Sequence, residues 1–442
     1  MITLAEFQRR RAQLLAQCKP SSIVVIPAAS QVTRSNDTEH PFRQNSDFWY
    51  LTGFNEADAL LVLSNQLANE DGDDLSSMLF VLPKDPHAEI WHGRRMGPEK
   101  AVEQLGIDEA YELDVLEELL PALLNGHEHL YYSLDENPQA DEIVQSALAQ
   151  CKSAPKQSMV APANIVDVSV LLHAMRNIKS SAEIALMREA AVISSDAHKR
   201  AMRFVAPGVY EYQLEAELHH EFAMRGARYP AYGTIVGSGD NACILHYTEN
   251  SDCIKDGNLV LIDAGCELQG YAADITRTFP ANGKFNPEQS ALYQLVLDSQ
   301  LAALEVLKPG NTIAQAMQAC VAVIVKGLCE LGILSGEPDA LIAEDAWRPY
   351  FMHGLGHYLG LDVHDVGIYK KEGEDLPLAP GIVLTVEPGL YIAPDSDAPA
   401  KYRGIGIRIE DDIVITESGH EILTSGVPKT ISEIEALMAS KS

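Results

Sequence analysis

The chain has little of what marks a nucleic-acid-binding protein, because basic residues are scarce. Its 442 residues include 33 Lys and Arg against 63 Asp and Glu, which gives a formal net charge of -30. Such an excess of negative charge repels polyanions at long range, so neither DNA nor RNA is an expected partner. The simplest consequence of the charge is solubility, and a functional one is a weak attraction for peptides with a free ammonium group.

The sequence also lacks paired cysteines and a leader-like start. Its seven cysteines are odd in number and contain no C-x-x-C pair, which is typical of reduced thiols in a cytosolic protein. The N-terminal stretch MITLAEFQRRRAQLL is interrupted by Glu6 and three arginines, so it predicts neither a signal peptide nor a spanning helix. No later segment is expected to reach membrane-spanning length. The predicted location is therefore the cytoplasm, with no membrane partner.

The length predicts two domains, since 442 residues exceed one ordinary core. Short apolar runs alternate with polar turns between Ser22 and Leu82, which indicates an α/β domain over residues 1–160. The segment SAPKQSMVAPAN, residues 153–164, has two prolines and little periodicity and is the candidate linker. Residues 161–442 would form the second domain.

The second domain is predicted to contain two copies of a helix, Pro-Gly, helix unit. A capping pair, Ser180 and Glu183, opens a long amphipathic run that ends at Phe204, and a Pro-Gly pair then precedes a second helical run. The same order recurs from residue 287, where Thr312 and Gln315 form another capping pair. Strand-like hairpins follow each unit. We therefore predict two similar halves that share a site in the crevice between them.

Four acidic residues occupy comparable positions in the two predicted hairpins. Asp263 ends the run LVLID, and Asp274 lies eleven residues later in the returning strand, so the two can face each other. Alone, such a pair is more typical of turn aspartates. Glu387 follows LTV, and Glu410 lies within the apolar run IGIRIEDDIVI. Four converging buried carboxylates repel one another and need compensation, which two divalent ions would supply.

Histidines add nitrogen donors to the same part of the chain. His353 and His357 are four residues apart in HGLGH, without the Glu of H-E-x-x-H, and the two glycines favour a loop or strand over a helix. A single histidine is usually a packed or surface residue, but His246 and His364 extend the group. An oxygen-rich set with one or two imidazoles suits manganese, cobalt, iron or zinc. Two such ions can activate a bridging water for amide hydrolysis.

The motifs VLIDAG, YAADITRTF, HGLGHYLGLDVHD, LTVEPGLYI and GIGIRIEDD, in this order, resemble the pita-bread metallopeptidases and within them the aminopeptidase P family. RQNSDFWYLTGFNE and EIWHGRR near the N-terminus resemble the same family, so the resemblance covers nearly the whole chain. It implies an N-terminal α/β domain followed by a C-terminal pita-bread domain of two similar halves. It also implies a metal-dependent Xaa-Pro aminopeptidase, a homotetramer, that removes the first residue of peptides with proline in second position.

The resemblance carries roles over to residues of this chain. The implied ligands of two metal ions, usually Mn2+, are Asp263, Asp274, His357, Glu387 and Glu410. The implied catalytic residues are His246 and His364, which contact the substrate carbonyl and the intermediate, and Glu387, the proton carrier for a metal-bridging hydroxide. The implied substrate-binding residues are Tyr232, His353 and Arg408 around the proline, with Asp37 and Trp91 of the N-terminal domain closing the site.

One loop departs from the family pattern. Residues 370–375 lack an arginine that relatives can place near the C-terminal side of a bound peptide. Lys370 or Lys371 could supply only a point charge in its place, and a solvated charged turn is the alternative.

Three related classes of protein offer other functions. A prolidase would share the ligands but cut only Xaa-Pro dipeptides. A non-catalytic binding module would be expected to have lost ligands, and the creatine-hydrolysing branch works without metal and would not need this carboxylate set.

Overall fold

The computed structural model describes residues 2–68, 72 and 74–440, and these divide into two compact units, one up to Met175 and one from Arg176 onward. The sequence puts the domain boundary at 160/161, whereas the contacts divide the chain inside a helix, Ser169–Asn177. The Gly126 N–H donates to the Val160 carbonyl (2.9 Å), so the candidate linker, residues 153–164, is hydrogen-bonded within the first of these units.

A six-stranded mixed sheet forms the centre of the N-terminal unit. The strands of this unit are β1 (Ser22–Pro27), β2 (Thr33–Ser35), β3 (Thr38–Glu39), β4 (Leu60–Ser64), β5 (Ser77–Val81), β6 (Glu109–Glu112), β7 (His129–Tyr131) and β8 (Asn164–Val166). The sheet order is β6-β5-β4-β1-β7-β8, with β1 antiparallel to β4 and parallel to β7. Its central strands are continuous apolar runs because both faces are covered.

Helices cover this sheet and close its core. They are α1 (Leu4–Gln17), α2 (Ser46–Thr52), α3 (Pro86–His92), α4 (Gly97–Leu105), α5 (Leu116–Leu124), α6 (Pro138–Ser153) and α7 (Ser169–Asn177). Leu120 of α5 and Val144 of α6 pack with Val25 and Val62 of the sheet in one buried cluster. The unit is thus an α/β domain, as the apolar runs predict.

The C-terminal unit contains the predicted duplication. Its helices are α8 (Ser181–Phe204), α9 (Glu211–Met224), α10 (Pro287–Val306), α11 (Ile313–Glu330), α12 (Pro338–Ala343) and α13 (Ile431–Ala439). The pairs α8/α9 and α10/α11 are the two predicted helix, Pro-Gly, helix units. Both predicted capping boxes are present: the Ser180 and Thr312 side chains accept from the backbone at Glu183 and Gln315, whose side chains bond back.

Small antiparallel sheets follow each helix pair. The strands are β9 (Tyr229–Pro230), β10 (Ile235–Ser238), β11 (Leu259–Asp263), β12 (Cys266–Leu268), β13 (Tyr271–Ala272), β14 (Thr276–Pro280), β15 (Lys370–Lys371), β16 (Glu374–Asp375), β17 (Val383–Val386), β18 (Gly389–Ile392), β19 (Ile405–Arg408), β20 (Asp411–Ile415) and β21 (His420–Ile422). β11 lies between β10 and β14, and β20 lies between β17 and β21. The halves meet where the Glu410 N–H donates to the Thr276 carbonyl (3.1 Å).

Helix α11 corrects one expectation, that no later segment reaches spanning length. It has 18 residues and a mean hydropathy of 1.4, which satisfies that length and composition. Such a helix is weak support for a membrane span because a core helix has the same properties. Its buried residues include Ala316, Cys320, Ile324 and Leu328, one helical stripe of the kind that packs on a neighbour.

A buried ion pair behind β14 and β20 generates a stability prediction. Arg277 and Asp411 are fully buried and 2.7 Å apart, and Lys429 also contacts Asp411 at 2.7 Å. Arg277→Met should lower the free energy of unfolding by about 3–5 kcal/mol, because it removes one partner of a buried charge. Urea denaturation followed by circular dichroism measures this.

The exposed pair Lys284 and Glu435 provides the control. Lys284 is 72% exposed, so Lys284→Met should change the free energy of unfolding by less than about 1 kcal/mol. Equal losses in the two variants would contradict the assignment of Arg277 as a buried structural charge.

Candidate metal centre

Each of the four carboxylates lies at or just beyond the end of a strand. Asp263 is the last residue of β11, Asp274 precedes β14, Glu387 follows β17, and Glu410 lies between β19 and β20. The strand that carries or precedes each carboxylate ends at or next to it. The side chains of both halves therefore reach one shared space.

The HGLGH segment runs beside β17, which confirms that it is not helical. The Thr385 N–H donates to the His357 carbonyl (2.9 Å), and the Glu387 N–H donates to the Leu355 carbonyl (2.8 Å). Gly356 permits this approach, because a Cβ at that position would lie 2.0 Å from the Thr385 carbonyl oxygen. The glycines thus bring His357 against the strand that precedes Glu387.

The predicted ligands converge. Donor atoms of Asp274, His357 and Glu410 all lie within 4.8 Å of one another. His357 Nε2 is 3.5 Å from Asp274 Oδ2 and 3.5 Å from Glu387 Oε1. Asp263 joins the group through Tyr232, whose hydroxyl is 2.6 Å from Asp263 Oδ1 and also contacts Asp274 Oδ1. All five predicted ligands therefore face one region.

A cavity of about 490 Å3 opens over this region. Ten of the predicted site residues line it: Tyr232, His246, Asp263, Asp274, His353, His357, His364, Glu387, Arg408 and Glu410. The His357 and His364 rings meet edge to face with centroids 4.2 Å apart. The remaining two predicted residues belong to the N-terminal unit: Asp37 lies in the turn between β2 and β3, and Trp91 is an exposed residue of α3.

Without a cation, burial and mutual repulsion raise the pKa values of carboxylates in this cluster. Burial and the charge of Asp263 raise the pKa of Asp274, and burial raises the pKa of Glu387 to about 7. Burial, followed by repulsion from Asp274, raises the pKa of Glu410 well above its usual range. The cluster thus stabilises added positive charge, either as protons or as metal ions.

The His357 ring tests whether this donor set fits a metal. Its Nδ1 lies 2.9 Å from the Tyr358 carbonyl and must donate to it, which leaves Nε2 facing the carboxylates of Asp274 and Glu387. Burial alone would lower the pKa of His357, but the contact with Asp274 raises it to about 9. Near neutral pH a proton on Nε2 faces the two carboxylates, and a divalent ion can replace this proton as the positive charge between the donors, so the residues fit divalent metal ions.

Arg408 and His353 share a hydroxyl partner. Arg408 Nη2 lies 2.5 Å from Asp263 Oδ2, and its Nη1 donates to the Tyr391 hydroxyl at 2.9 Å. That hydroxyl lies 2.8 Å from His353 Nε2. Burial and the Arg408 charge lower the pKa of His353 to about 4, so its imidazole is neutral. This wall of the cavity is therefore held rigidly by hydrogen bonds.

Sequence reasoning missed three residues that support the site. Thr276 donates to Glu410 Oε2 (2.6 Å), and Asp412 Oδ2 accepts from the Asp274 N–H (3.0 Å). Strand alternation could have found both, since each lies two residues from a predicted ligand. Tyr391 had no such signal, because its contact with Arg408 depends on the pairing of β18 with β19.

The divergent loop 370–375 forms the exposed hairpin β15–β16. Lys370 Nζ lies 3.3 Å from Asp375 Oδ1 across the hairpin, and both side chains are at least partly exposed. Neither Lys370 nor Lys371 lines the cavity. The geometry favours the solvated charged turn over a substitute for the missing arginine.

Two buried and two half-buried carboxylates with an imidazole, held between two similar halves of helices and hairpins, define a metal-dependent hydrolase. The chain belongs to the metallopeptidase family M24, whose model matches residues 185–417, and residues 7–131 match the aminopeptidase P N-terminal domain. The predicted fold, an α/β domain followed by a pita-bread domain of two halves, is confirmed, as is the resemblance to aminopeptidase P. The protein is a metallo-aminopeptidase.

Individual relatives match over nearly their full length. The Xaa-Pro aminopeptidase of Escherichia coli (strain K12) is 54% identical over 439 residues, covering 99% of this chain and 98% of the relative. The Xaa-Pro aminopeptidase of Haemophilus influenzae is 46% identical over 433 residues, covering 98% and 97%. A structure of zinc-substituted E. coli aminopeptidase P in complex with product superposes with a TM-score of 0.96 at 53% identity, covering 100% of this chain and 99% of that one.

Metal binding by the metal-free protein should release protons. The pKa of His357, about 9, means that its ring carries a proton near neutral pH, and the pKa of Glu387, about 7, means that its carboxyl group is partly protonated there. A metal must displace these protons. The apparent affinity should therefore fall as pH decreases from 9 to 6, by about tenfold per pH unit for each proton displaced. Calorimetric titration in buffers of different ionisation enthalpy counts these protons.

Asp345→Asn is the matched control for this titration. Asp345 is an exposed carboxylate outside the cavity, and its removal should leave the proton count unchanged. A binding enthalpy that is independent of buffer at pH 7 would show that the ligands are already deprotonated.

Proposed function

We propose that the chain is an Xaa-Pro aminopeptidase that removes the N-terminal residue from peptides with proline in second position. The observation that carries this proposal is the complete convergence of all five predicted ligands in one cavity, in a chain that is 54% identical to a relative named for this activity. A non-catalytic binding module is disfavoured because no ligand is lost. Prolidase activity, confined to Xaa-Pro dipeptides, is the alternative that the ligand set alone leaves open.

The proposed cofactor is a pair of divalent ions, Mn2+ for preference, held by the five ligands. The predicted set is Asp263, Asp274, His357, Glu387 and Glu410. The four negative charges of the carboxylates would balance the four positive charges of two divalent ions, and mixed oxygen and nitrogen donors suit manganese. When bound, two such ions lower the pKa of a shared water and polarise the substrate carbonyl.

The chain's own residues would then handle protons and developing charge. Glu387 would accept a proton from the attacking water and pass it to the proline nitrogen as the peptide bond breaks. His246 and His364 line the cavity and would donate hydrogen bonds to the substrate carbonyl oxygen as negative charge develops there.

Proline selection would come from the rigid wall of the cavity. Tyr232, His353 and Arg408 line this wall, and the last two are bridged by hydrogen bonds to the Tyr391 hydroxyl. Proline has a fixed φ and no N–H, so a pre-formed pocket selects it by shape without offering an unmatched acceptor.

The proposal extends to domains, assembly and location. Residues 1–160 would act in substrate gating and oligomer contacts and residues 161–442 in catalysis, with Asp37 and Trp91 closing the site in a homotetramer, as the family resemblance implies. All seven cysteines are free, which supports work in the reducing cytoplasm. Peptides would be its substrates, and nucleic acids and membranes would not be partners.

Asp274→Asn tests the metal assignment. The change removes charge but keeps shape, so metal content and activity should fall together, with kcat lower by about 100-fold or more after reconstitution with Mn2+. Elemental analysis and peptide hydrolysis give the two readouts. Asp256→Asn, an exposed carboxylate just before β11, is the control and should retain both. Unchanged metal stoichiometry in Asp274→Asn would remove that residue from the ligand set.

A panel of peptides distinguishes an Xaa-Pro aminopeptidase from a prolidase. Xaa-Pro-Yaa should be cleaved to Xaa and Pro-Yaa, alanine in second position should lower kcat/KM by about 10- to 200-fold, and an acetylated N-terminus should abolish cleavage, since it removes the ammonium that the acidic site attracts. Mass spectrometry of the products gives the result. Hydrolysis of Xaa-Pro dipeptides alone would favour a prolidase, and no hydrolysis with both metals bound would favour the binding module.

A further inference from the structure

A buried ion cluster lies immediately behind the residue proposed to bind the substrate carbonyl. Asp365 follows His364, and its carboxylate side chain is 1% exposed. Arg176 Nη2 lies 2.6 Å from Asp365 Oδ1, and Lys179 Nζ lies 2.9 Å from Asp365 Oδ2. Arg176 also contacts Asp362 at 2.7 Å. Two cations, Arg176 in the last turn of α7 and Lys179 in the connection to α8, thus bind one carboxylate next to the cavity.

The backbone around Asp365 is built to admit this cluster. The Asp365 N–H donates to the Tyr358 carbonyl (2.9 Å), which closes the loop that begins after His357. At Gly360 a Cβ would lie 2.2 Å from Asp365 Oδ2 and 3.0 Å from Lys179 Cε, so only glycine leaves room for the pair. Burying three charges this closely is unfavourable unless they compensate one another, which they do here.

The two histidines of this loop are held in different ways. The His357 N–H donates to the Thr385 hydroxyl of β17, its carbonyl accepts from the Thr385 N–H, and its ring donates to the Tyr358 carbonyl. Within the described part of the chain, the His364 ring makes no hydrogen bond and touches the His357 ring edge to face. The direction of the His364 side chain therefore depends on its backbone, which the next residue, Asp365, fixes.

We propose that Asp365, which forms ion pairs with Arg176 and Lys179, is a positioning residue that orients the His364 ring toward the cavity. The inference rests on the proposed function, since it requires His364 to act on the substrate. Asp365 itself is buried and does not line the cavity, so it acts only through its neighbour. Metal binding by His357, which is anchored to β17, does not depend on the cluster.

A double-mutant cycle on kcat tests this role. Asp365→Asn keeps the shape and removes the charge, and should lower kcat for an Xaa-Pro-Yaa tripeptide by about tenfold, with KM within about twofold and metal content unchanged. His364→Ala should lower kcat by about 100-fold. In the His364→Ala background, Asp365→Asn should cause no further loss, because residues that act as a unit are not additive.

Asp362→Asn is the matched control, since Asp362 lies in the same loop and shares Arg176 but is 38% exposed and not adjacent to His364. Its kcat should stay within about twofold of the unaltered enzyme. If Asp365→Asn does not fold, Lys179→Met, which leaves Arg176 on Asp365, replaces it in the cycle with the same non-additive outcome expected.

The outcomes separate this inference from the proposed function. If His364→Ala retains full kcat, the proposed role of His364 is wrong. If His364→Ala is impaired but the two changes multiply, or if Asp365→Asn keeps full kcat or loses metal, the positioning role is overturned while the role of His364 stands.

Discussion

The mutual repulsion of buried carboxylates is the constraint on which the rest of the C-terminal unit depends. Asp274, Glu387 and Glu410 have raised pKa values because they are removed from water and face one another, so the polypeptide alone does not favour their charged forms. Folding must hold them together against this repulsion. The strands that end at these residues, and the pairs behind them, supply the rigidity that the cluster itself lacks.

Charged neighbours behind the cavity show how that rigidity arises. Three consecutive acidic residues at the start of β20, Glu410, Asp411 and Asp412, have different pKa shifts, although all are buried. Burial raises the pKa values of Glu410 and Asp412, whereas Arg277 and Lys429 overcome burial and lower the pKa of Asp411. Strand alternation turns Asp411 away from its neighbours, toward cations that neutralise it. Asp411, neutralised by two cations, therefore serves the structure, whereas the neighbouring Glu410 side chain faces the cavity.

Much of this architecture could be predicted from the sequence because it depends on local signals. The capping boxes at Ser180 and Thr312 set the helix starts, and strand alternation with glycine-marked turns located Asp263 and Asp274. The support by Tyr391 could not be predicted, since it depends on strand pairing between segments that the sequence does not order in space. The contacts extend the N-terminal unit beyond the prolines that predict a linker, because strand β8 pairs with β7 there.

Compensation of a buried charge also distinguishes the roles of the neighbouring residues His364 and Asp365, since His364 faces the cavity and Asp365 is held by cations behind it. Arg176 and Lys179 overcome the effect of burial and lower the pKa of Asp365, as Arg277 and Lys429 do for Asp411. In both places a satisfied carboxylate directly adjoins a residue that faces the cavity, His364 in one case and Glu410 in the other. An ion pair buried beside a site contributes little net stability. Its consequence here is geometric, because it fixes the backbone from which the neighbouring side chain reaches the cavity.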